Sequence, residues 1–430
     1  MQNKEIIRIL HDWNLWEHDL KTGIFRPSYV HKLKGFIETG QIVTITGSRR
    51  SGKSFIMKQT MEFLMKNGWE RTRFLFVNFE DPRFTELNLS LLQQIYETYI
   101  EYIKPSGKPI IFLDEIQEIE GWERWVRSIH ELDKAHVVVS GSNAKLLSDE
   151  LGTLLTGRHL SFQVFPLSFI EYLQFHNCPI ENSDGIKSYM HDYVAYGGFP
   201  EVVLKDQKKE ILLNYFDDII TKDVVKRFKV RKINDLKNLA KYYLTNPAAL
   251  SSYNALEKFL GLSQETIEKF SRFFEQVYLI FFINRFSYKY REQIKSPKKI
   301  YSIDPGLANA IGFRFMDTSG PILENLVFIE LMRRKALNPL LEIFYWKDES
   351  HKEVDFVVKE GLNVVSLLQV CWNIHHPKTK ERELRSLLKA MKEFKLTEGL
   401  VITEDYTHEE VIDAYYHIHY LSLEKWLLQT

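Results

Sequence analysis

Residues 47–54 of this chain read GSRRSGKS, and no other stretch constrains its fold as strongly. The stretch follows QIVTIT, a short run rich in β-branched residues, and precedes the helical pattern FIMKQTMEFLMKNG. Strand, glycine loop and helix, with the spacing G-x-x-x-x-G-K-S, predict a loop that wraps phosphate groups. Gly47 and Gly52 let the backbone curl so that consecutive N–H groups face inward. The positive end of the following helix adds to the same field. Lys53 is placed to reach β- and γ-phosphates and Ser54 to ligate Mg²⁺. The expected nucleotide-binding set is Gly47, Ser48, Arg49, Arg50, Ser51, Gly52, Lys53, Ser54 and Phe55, with ATP and Mg²⁺ as the implied ligands.

A chain of 430 residues exceeds one ordinary core, so several domains are expected. Hydrophobic content of 44% and charged content of 27% are globular values. The formal net charge is zero, which excludes a chain basic throughout and confines any nucleic-acid surface to a local patch. Two cysteines, Cys178 and Cys371, are too few for a disulfide scaffold or a structural zinc site. With a nucleotide site they favour a reducing, cytoplasmic setting. No stretch reaches the length of uncharged apolar sequence needed to span a membrane, and the polar start MQNKEIIRILHDW has no signal-peptide core.

Residues 1–40 form a helical lead-in. Trp13 and Trp16 suit either the adenine side of a nucleotide pocket or a plain docking role. Residues 41–165 alternate strand and helix, which predicts a three-layer α/β sandwich with its site at the carboxyl ends of parallel strands. The strand IIFL runs into Asp114 and Glu115. Asp114 is placed to hold Mg²⁺ through water, and Glu115 to orient the attacking water. The strand in AHVVVSGSN ends in Ser140, Ser142 and Asn143; Ser142 and Asn143 compete for a γ-phosphate contact. Arg158, after a glycine, suits a finger reaching a neighbouring subunit's γ-phosphate or a surface ion pair.

The segments GSRRSGKS, FVNFEDPRF, IIFLDEIQ, VVSGSNAKLL and LLTGRHLSFQVFPLSFIEYL together resemble the archaeal and bacterial AAA-type ATPases that carry a family-specific C-terminal region, and YVAYGGFPEVV resembles the signature that follows their ATPase core. The resemblance implies Asn143 (or Ser142) as sensor, Arg158 as the arginine finger and a homo-oligomer. It also implies a winged-helix unit after the core.

Residues 166–235 read as helices, with a basic run in which Lys222, Lys226 and Lys229 share a face if the helix persists. Residues 236–310 read as three helices and a two-stranded wing, the winged variant of helix-turn-helix. Lys289, Arg291, Lys295, Lys298 and Lys299 make that wing basic and suggest DNA as partner. Residues 311–430 follow the layout of the restriction-endonuclease-like fold. Glu324 or Glu330, Asp355 and Gln369 fall at its metal-ligand positions, while Cys371 stands where such nucleases carry lysine. A thiol supplies no cation for the transition state, so an inactive domain is expected. Lys359 lies on the neighbouring strand as a possible substitute, and His375 and His376 give only a weak metal signal. The combined expectation is an α/β AAA-type core, then a winged helix, then an endonuclease-like domain: an ATP-hydrolysing oligomeric machine acting on DNA. A regulatory ATPase switch with protein partners and an ATP-dependent nuclease are the alternatives.

Overall fold

Strand residues in the first half of the chain are apolar on both faces, the pattern of a sheet covered on both sides. A computed structural model describes residues 1–144, 157–181, 183–312 and 319–429, and the chain divides into two units, Met1–Val164 and Phe165–Thr430. In the first unit the strands are β1 (Ile42–Thr46), β2 (Phe74–Asn78), β3 (Ile110–Asp114), β4 (His136–Gly141) and β5 (His159–Gln163). They form one parallel sheet in the order β2-β3-β4-β1-β5. Because strand side chains alternate, Leu75, Val77, Ile111, Leu113, Val137 and Val139 enter one core. Phe74, Phe76, Ile110, Phe112 and Val138 enter the other, on the opposite face. The helix Lys53–Lys66 covers the second core and the helices Leu89–Ile103 and Trp122–Glu131 the first. The result is the three-layer α/β core expected from the sequence.

β2 is an edge strand, with backbone groups open to mispairing. The N-terminal arm covers them. Asn14 accepts from the Phe76 N–H at 2.6 Å and donates to the Phe76 carbonyl at 2.9 Å. The Trp16 indole donates to the Phe74 carbonyl at 2.7 Å, and the Trp13 indole to Asp81 at 2.7 Å. Both tryptophans therefore dock the arm on the edge strand; that is the structural finding for the pair.

In the second unit, helices from Phe169 to Asp218 lead into a π-helical turn at Ile219–Lys226. Lys229 has a left-handed backbone (φ 51°), so Lys222, Lys226 and Lys229 do not line one continuous helix face, contrary to the sequence expectation. The helix Ile233–Thr245 follows, then β6 (Leu250–Ser251), the helices Tyr253–Leu260 and Gln264–Gln276, β7 (Ile280–Ile283) and β8 (Lys298–Ser302). The three strands pair antiparallel in the order β6-β8-β7. The connection from β7 to β8 contains a short helix, Tyr290–Lys295, so it is more than the plain hairpin the sequence suggests.

The remaining strands are β9 (Leu341–Lys347), β10 (Glu353–Glu360), β11 (Asn363–Cys371), β12 (Glu398–Thr403), β13 (His408–Ile412) and β14 (Tyr416–Ser422). Their six-stranded sheet runs β13-β14-β12-β11-β10-β9. β9, β10 and β11 are antiparallel, whereas β11 and β12 are parallel and joined by the helix Pro377–Phe394. Gly197, with φ 75°, packs on Asp304, whose carboxylate accepts from the Gly198 N–H at 2.7 Å and caps the helix Pro305–Ile311 through the Leu307 N–H. That contact explains the glycine pair of the YGGFP stretch: a Cβ at Gly197 would lie 1.9 Å from the Asp304 carboxylate.

Candidate functional site

β4 lies between β1, which feeds the glycine loop, and β3, which ends in Asp114. The sheet order thus sets the end of β4 between the loop and the acidic pair. In the loop, Gly47 has φ 143°, and a Cβ there would meet the Val164 carbonyl at 2.2 Å. Only glycine fits that approach. Gly52 caps the helix Lys53–Lys66 with φ 101°, and Arg50 also adopts positive φ, 67°. The Ser48 and Ser51 hydroxyls are buried without a protein hydrogen-bond partner. Buried polar atoms normally find one, so these fit phosphate oxygens. The Lys53 ammonium, 4% exposed, donates to the Gly47 and Ser48 carbonyls at 3.0 Å each and lies 3.8 Å from Glu115.

Asp114 is wholly buried and accepts from the Ser140 hydroxyl and from Ser54. Burial, then the neighbouring Glu115 carboxylate, push it up to about 6, while Ser140, Ser54 and Lys53 pull the other way. Glu115 adopts a left-handed backbone (φ 54°), its N–H donating to Ser140 at 3.3 Å and its carboxylate accepting from Gln117. Positive φ at a non-glycine residue costs roughly 1 kcal/mol or more and clusters at functional sites. The fold holds Glu115 there by the β3 turn and the hydroxyl of Ser140.

The predicted residues Lys53, Ser54, Asp114 and Glu115 are therefore brought together. Ser142 and Asn143 lie buried just past the end of β4. Ser140, named in the sequence with Ser142 and Asn143 at this strand end but not as a γ-phosphate candidate, bonds the Asp114 carboxylate and the Glu115 N–H. Arg26 was missed: buried beneath the loop, its guanidinium donates to the Ser51 carbonyl at 2.9 Å. Arg49 pairs with Glu80 at 2.7 Å. Phe55 is exposed at the start of the helix. Arg158 stands just before His159, which pairs with Ile42 at the amino end of β1, the end remote from the loop. Its guanidinium is half-exposed, 3.3 Å from Glu131. Residues 154–156 of the same motif lie outside the described residues.

A second constellation is in the C-terminal unit. The Lys299 ammonium, 2% exposed on β8, lies 2.8 Å from each of Glu324, Glu353 and Asp355. This corrects two expectations. Lys299 is not a surface contact of the wing, and the carboxylate cluster does not lack a cation; β8 supplies it. Tyr301 donates to Glu324 at 2.7 Å, and the Val370 N–H to Asp355 at 2.9 Å. Gln369 accepts from the Asp355 N–H at 3.3 Å and donates to Glu383 at 2.6 Å. Burial alone would lower Lys299, but Asp355 and Glu324 hold it well above its ordinary value. Burial and Asp355 push Glu324 up to about 8, while Lys299 and Tyr301 pull it down. Cys371 is buried in the core, its thiol pushed up to about 12 by burial and by Glu383. Glu330 belongs elsewhere, paired with Arg333 at 3.0 Å, and Lys359 pairs with Glu342. Among the described residues no three acidic, histidine or cysteine side chains are arranged to hold a metal, and His375 stands 3.7 Å from Asp405.

Residues 39–173 match the model of the AAA domain family. Residues 187–317 and 319–426 match two domains of unknown function, DUF8612 and DUF4143. The uncharacterized protein MJ1544 of Methanocaldococcus jannaschii is 36% identical over 371 residues, covering 83% of this chain and 80% of that one. An uncharacterized protein of Haemophilus influenzae is 31% identical over 420 residues, covering 95% of this chain and 100% of that one. Among solved structures, the Walker-type ATPase PABY2304 of Pyrococcus abyssi superposes with a TM-score of 0.43 at 12% identity, over 70% of this chain and 99% of that chain. With relatives matching along most of its length, and an AAA domain carrying a glycine loop and acidic pair on a parallel sheet, the chain belongs to the same family as these two uncharacterized proteins and carries an AAA-like ATPase domain.

Proposed function

We propose that the chain hydrolyses ATP in the presence of Mg²⁺ and uses that hydrolysis, as an oligomer, to act on DNA. The observation that carries the ATPase assignment is the convergence of Lys53, Ser54, Asp114, Glu115 and Ser140 beside the orphaned hydroxyls of Ser48 and Ser51. In this scheme Lys53 leaves the loop carbonyls for the β- and γ-phosphates. Ser54 and Asp114 would hold Mg²⁺, which neutralises charge on the phosphates. Glu115 orients the attacking water, and Ser140 holds the Asp114 carboxylate and the Glu115 backbone in place. Arg158, at the far end of its own sheet and half-exposed, suits action in trans across a subunit interface.

DNA as the target is supported by the second unit. Helix, strand, two helices and two strands, with the sheet order β6-β8-β7, supports the winged-helix reading. Its wing keeps Lys289, Arg291 and Lys295 exposed. The six-stranded sheet, with its antiparallel β9-β10-β11 and the parallel crossover to β12, supports an endonuclease-like ancestry. Lys299 argues against nuclease activity there: its ammonium fills the space between the carboxylates that a divalent ion would occupy. The test is the ATPase rate with duplex, single-stranded or no DNA at two salt concentrations. Stimulation that fades with salt supports action on DNA, whereas a rate indifferent to every nucleic acid returns the protein-switch alternative.

A further inference from the structure

We infer that the wing joining β7 to β8 is a stacking platform for unpaired nucleotides, so that the nucleic acid engaged is a single strand; this rests on the DNA-binding assignment above and names its substrate. Tyr288 and Tyr290 are 79% and 74% exposed, among the most exposed large side chains of the described residues. Ile294, also exposed, lies one helical turn beyond Tyr290, on the same face. A large apolar surface in water signals a partner. The charge around it selects which one. Residues 285–298 carry five basic side chains and one carboxylate, in a chain whose net charge is zero. Lys289 sits between the tyrosines, and Arg291 and Lys295 follow. Aromatic rings interleaved with cations match a strand whose bases are splayed for stacking beside its phosphates. A paired duplex offers the cations its phosphates but keeps its base faces stacked inside.

The rings are presented on a rigid base. Phe286 is buried against Phe344 of β9 and Phe394 at the end of the helix Pro377–Phe394, with centroids 5.6 and 5.0 Å away. Its N–H donates to the Tyr345 carbonyl at 2.6 Å, and Tyr345 donates back to the Asn284 carbonyl at 3.1 Å. Tyr288 packs edge-on to Phe286 at 5.2 Å. Ser287 closes the loop, donating to Glu292 at 2.9 Å and accepting from the Lys289 N–H at 3.1 Å, while Gln293 donates to its carbonyl at 2.6 Å. At the other end Lys299 anchors β8. A preformed aromatic surface loses little ordering entropy on binding, which suits recognition rather than a loose tail.

The experiment uses the full chain and fluorescence anisotropy with three probes: an oligothymidylate, an abasic oligomer of the same length, and a duplex. The oligothymidylate is expected to bind tightest. Y288A/Y290A should weaken it by roughly 5- to 150-fold per lost stack, down to the abasic level. Its salt dependence should stay unchanged, because no phosphate contact is lost. Y288F/Y290F should bind as the parent does, and unchanged melting of both variants shows that they fold. Equal affinity for thymidylate and abasic probes, or a Y288A/Y290A variant that binds like the parent, overturns the stacking platform and leaves DNA binding standing. Binding to none of the three probes, with a protein partner captured on the wing instead, overturns both.

Discussion

Replacing Lys299 with methionine keeps the length of the side chain and removes the cation that contacts all of Glu324, Glu353 and Asp355, leaving Lys347 3.1 Å from Glu353. Lys299 contacts all three at 2.8 Å, and their side chains are 13%, 25% and 9% exposed. Removing one partner of a buried ion pair costs about 3–5 kcal/mol, because the charges left behind stay desolvated. Glu353, a quarter exposed, places K299M toward the lower end. For a unit of this size such a loss lowers the melting point by roughly 6–20 °C. Glu324 gives the pH dependence its sign. Burial and Asp355 raise it to about 8 from an ordinary 4.5. A carboxyl raised on folding contributes stability that is complete below about 4.5 and is lost as pH climbs through about 8. Without the ammonium, Glu324 also loses a partner that holds it down, so more of that stability is lost toward high pH. The K299M deficit should therefore be large near pH 8 and shrink toward pH 6. Differential scanning calorimetry of the full chain at both pH values reads the transition of the second unit. K299M combined with E324Q and D355N should recover most of the loss, since fewer unpaired charges remain. A variant as stable as the parent at both pH values, or a deficit that grows toward acid, would refute the ion-cluster account.

E115Q should bind ATP like the parent by titration calorimetry yet show no turnover, because the amide cannot polarise water; an equal loss of affinity would count against that role. R158A should lower hydrolysis without changing the melting point, and mixing it with E115Q subunits should restore part of the activity if the finger acts in trans. G197A should destabilise the second unit by about 3 kcal/mol or more, since its Cβ would meet the Asp304 carboxylate at 1.9 Å; a melting point within a degree of the parent would show that the turn can shift.

The glycine loop and the acidic pair were legible because each is a local pattern. Residues 47–54 are contiguous, and Asp114 and Glu115 announce themselves where an apolar strand meets carboxylates. Ser140 was legible as a polar residue at a strand end, but its contacts with the acidic pair were not. Its role depends on β4 lying between β1 and β3, which is a property of strand order and leaves no trace in spacing. Arg26 and Asn14 are hidden for the same reason: one braces the glycine loop and the other caps the edge of β2, 62 residues away. Lys299 shows the sharpest limit. In sequence it belongs to a basic run and reads as a solvated wing residue. In three dimensions β8 carries it into the carboxylate cluster, 25 residues from Glu324 and 56 from Asp355. The substitution of cysteine for lysine at Cys371 was read as a missing charge, but a charge arrives from another strand. Tyr288 and Tyr290 were visible as residues, whereas their exposure on a braced loop required the fold.

The central claim is that the loop at residues 47–54 works with Asp114 and Glu115 as an ATP-hydrolysing centre. Steady-state phosphate release at saturating Mg-ATP, compared between the parent chain and K53A, tests it most directly. Lys53 lies 3.8 Å from Glu115 and is the cation placed to meet the γ-phosphate. Hydrolysis by the parent that falls to background in K53A, with the melting point retained, is the predicted result. Equal phosphate release from the two proteins would contradict it.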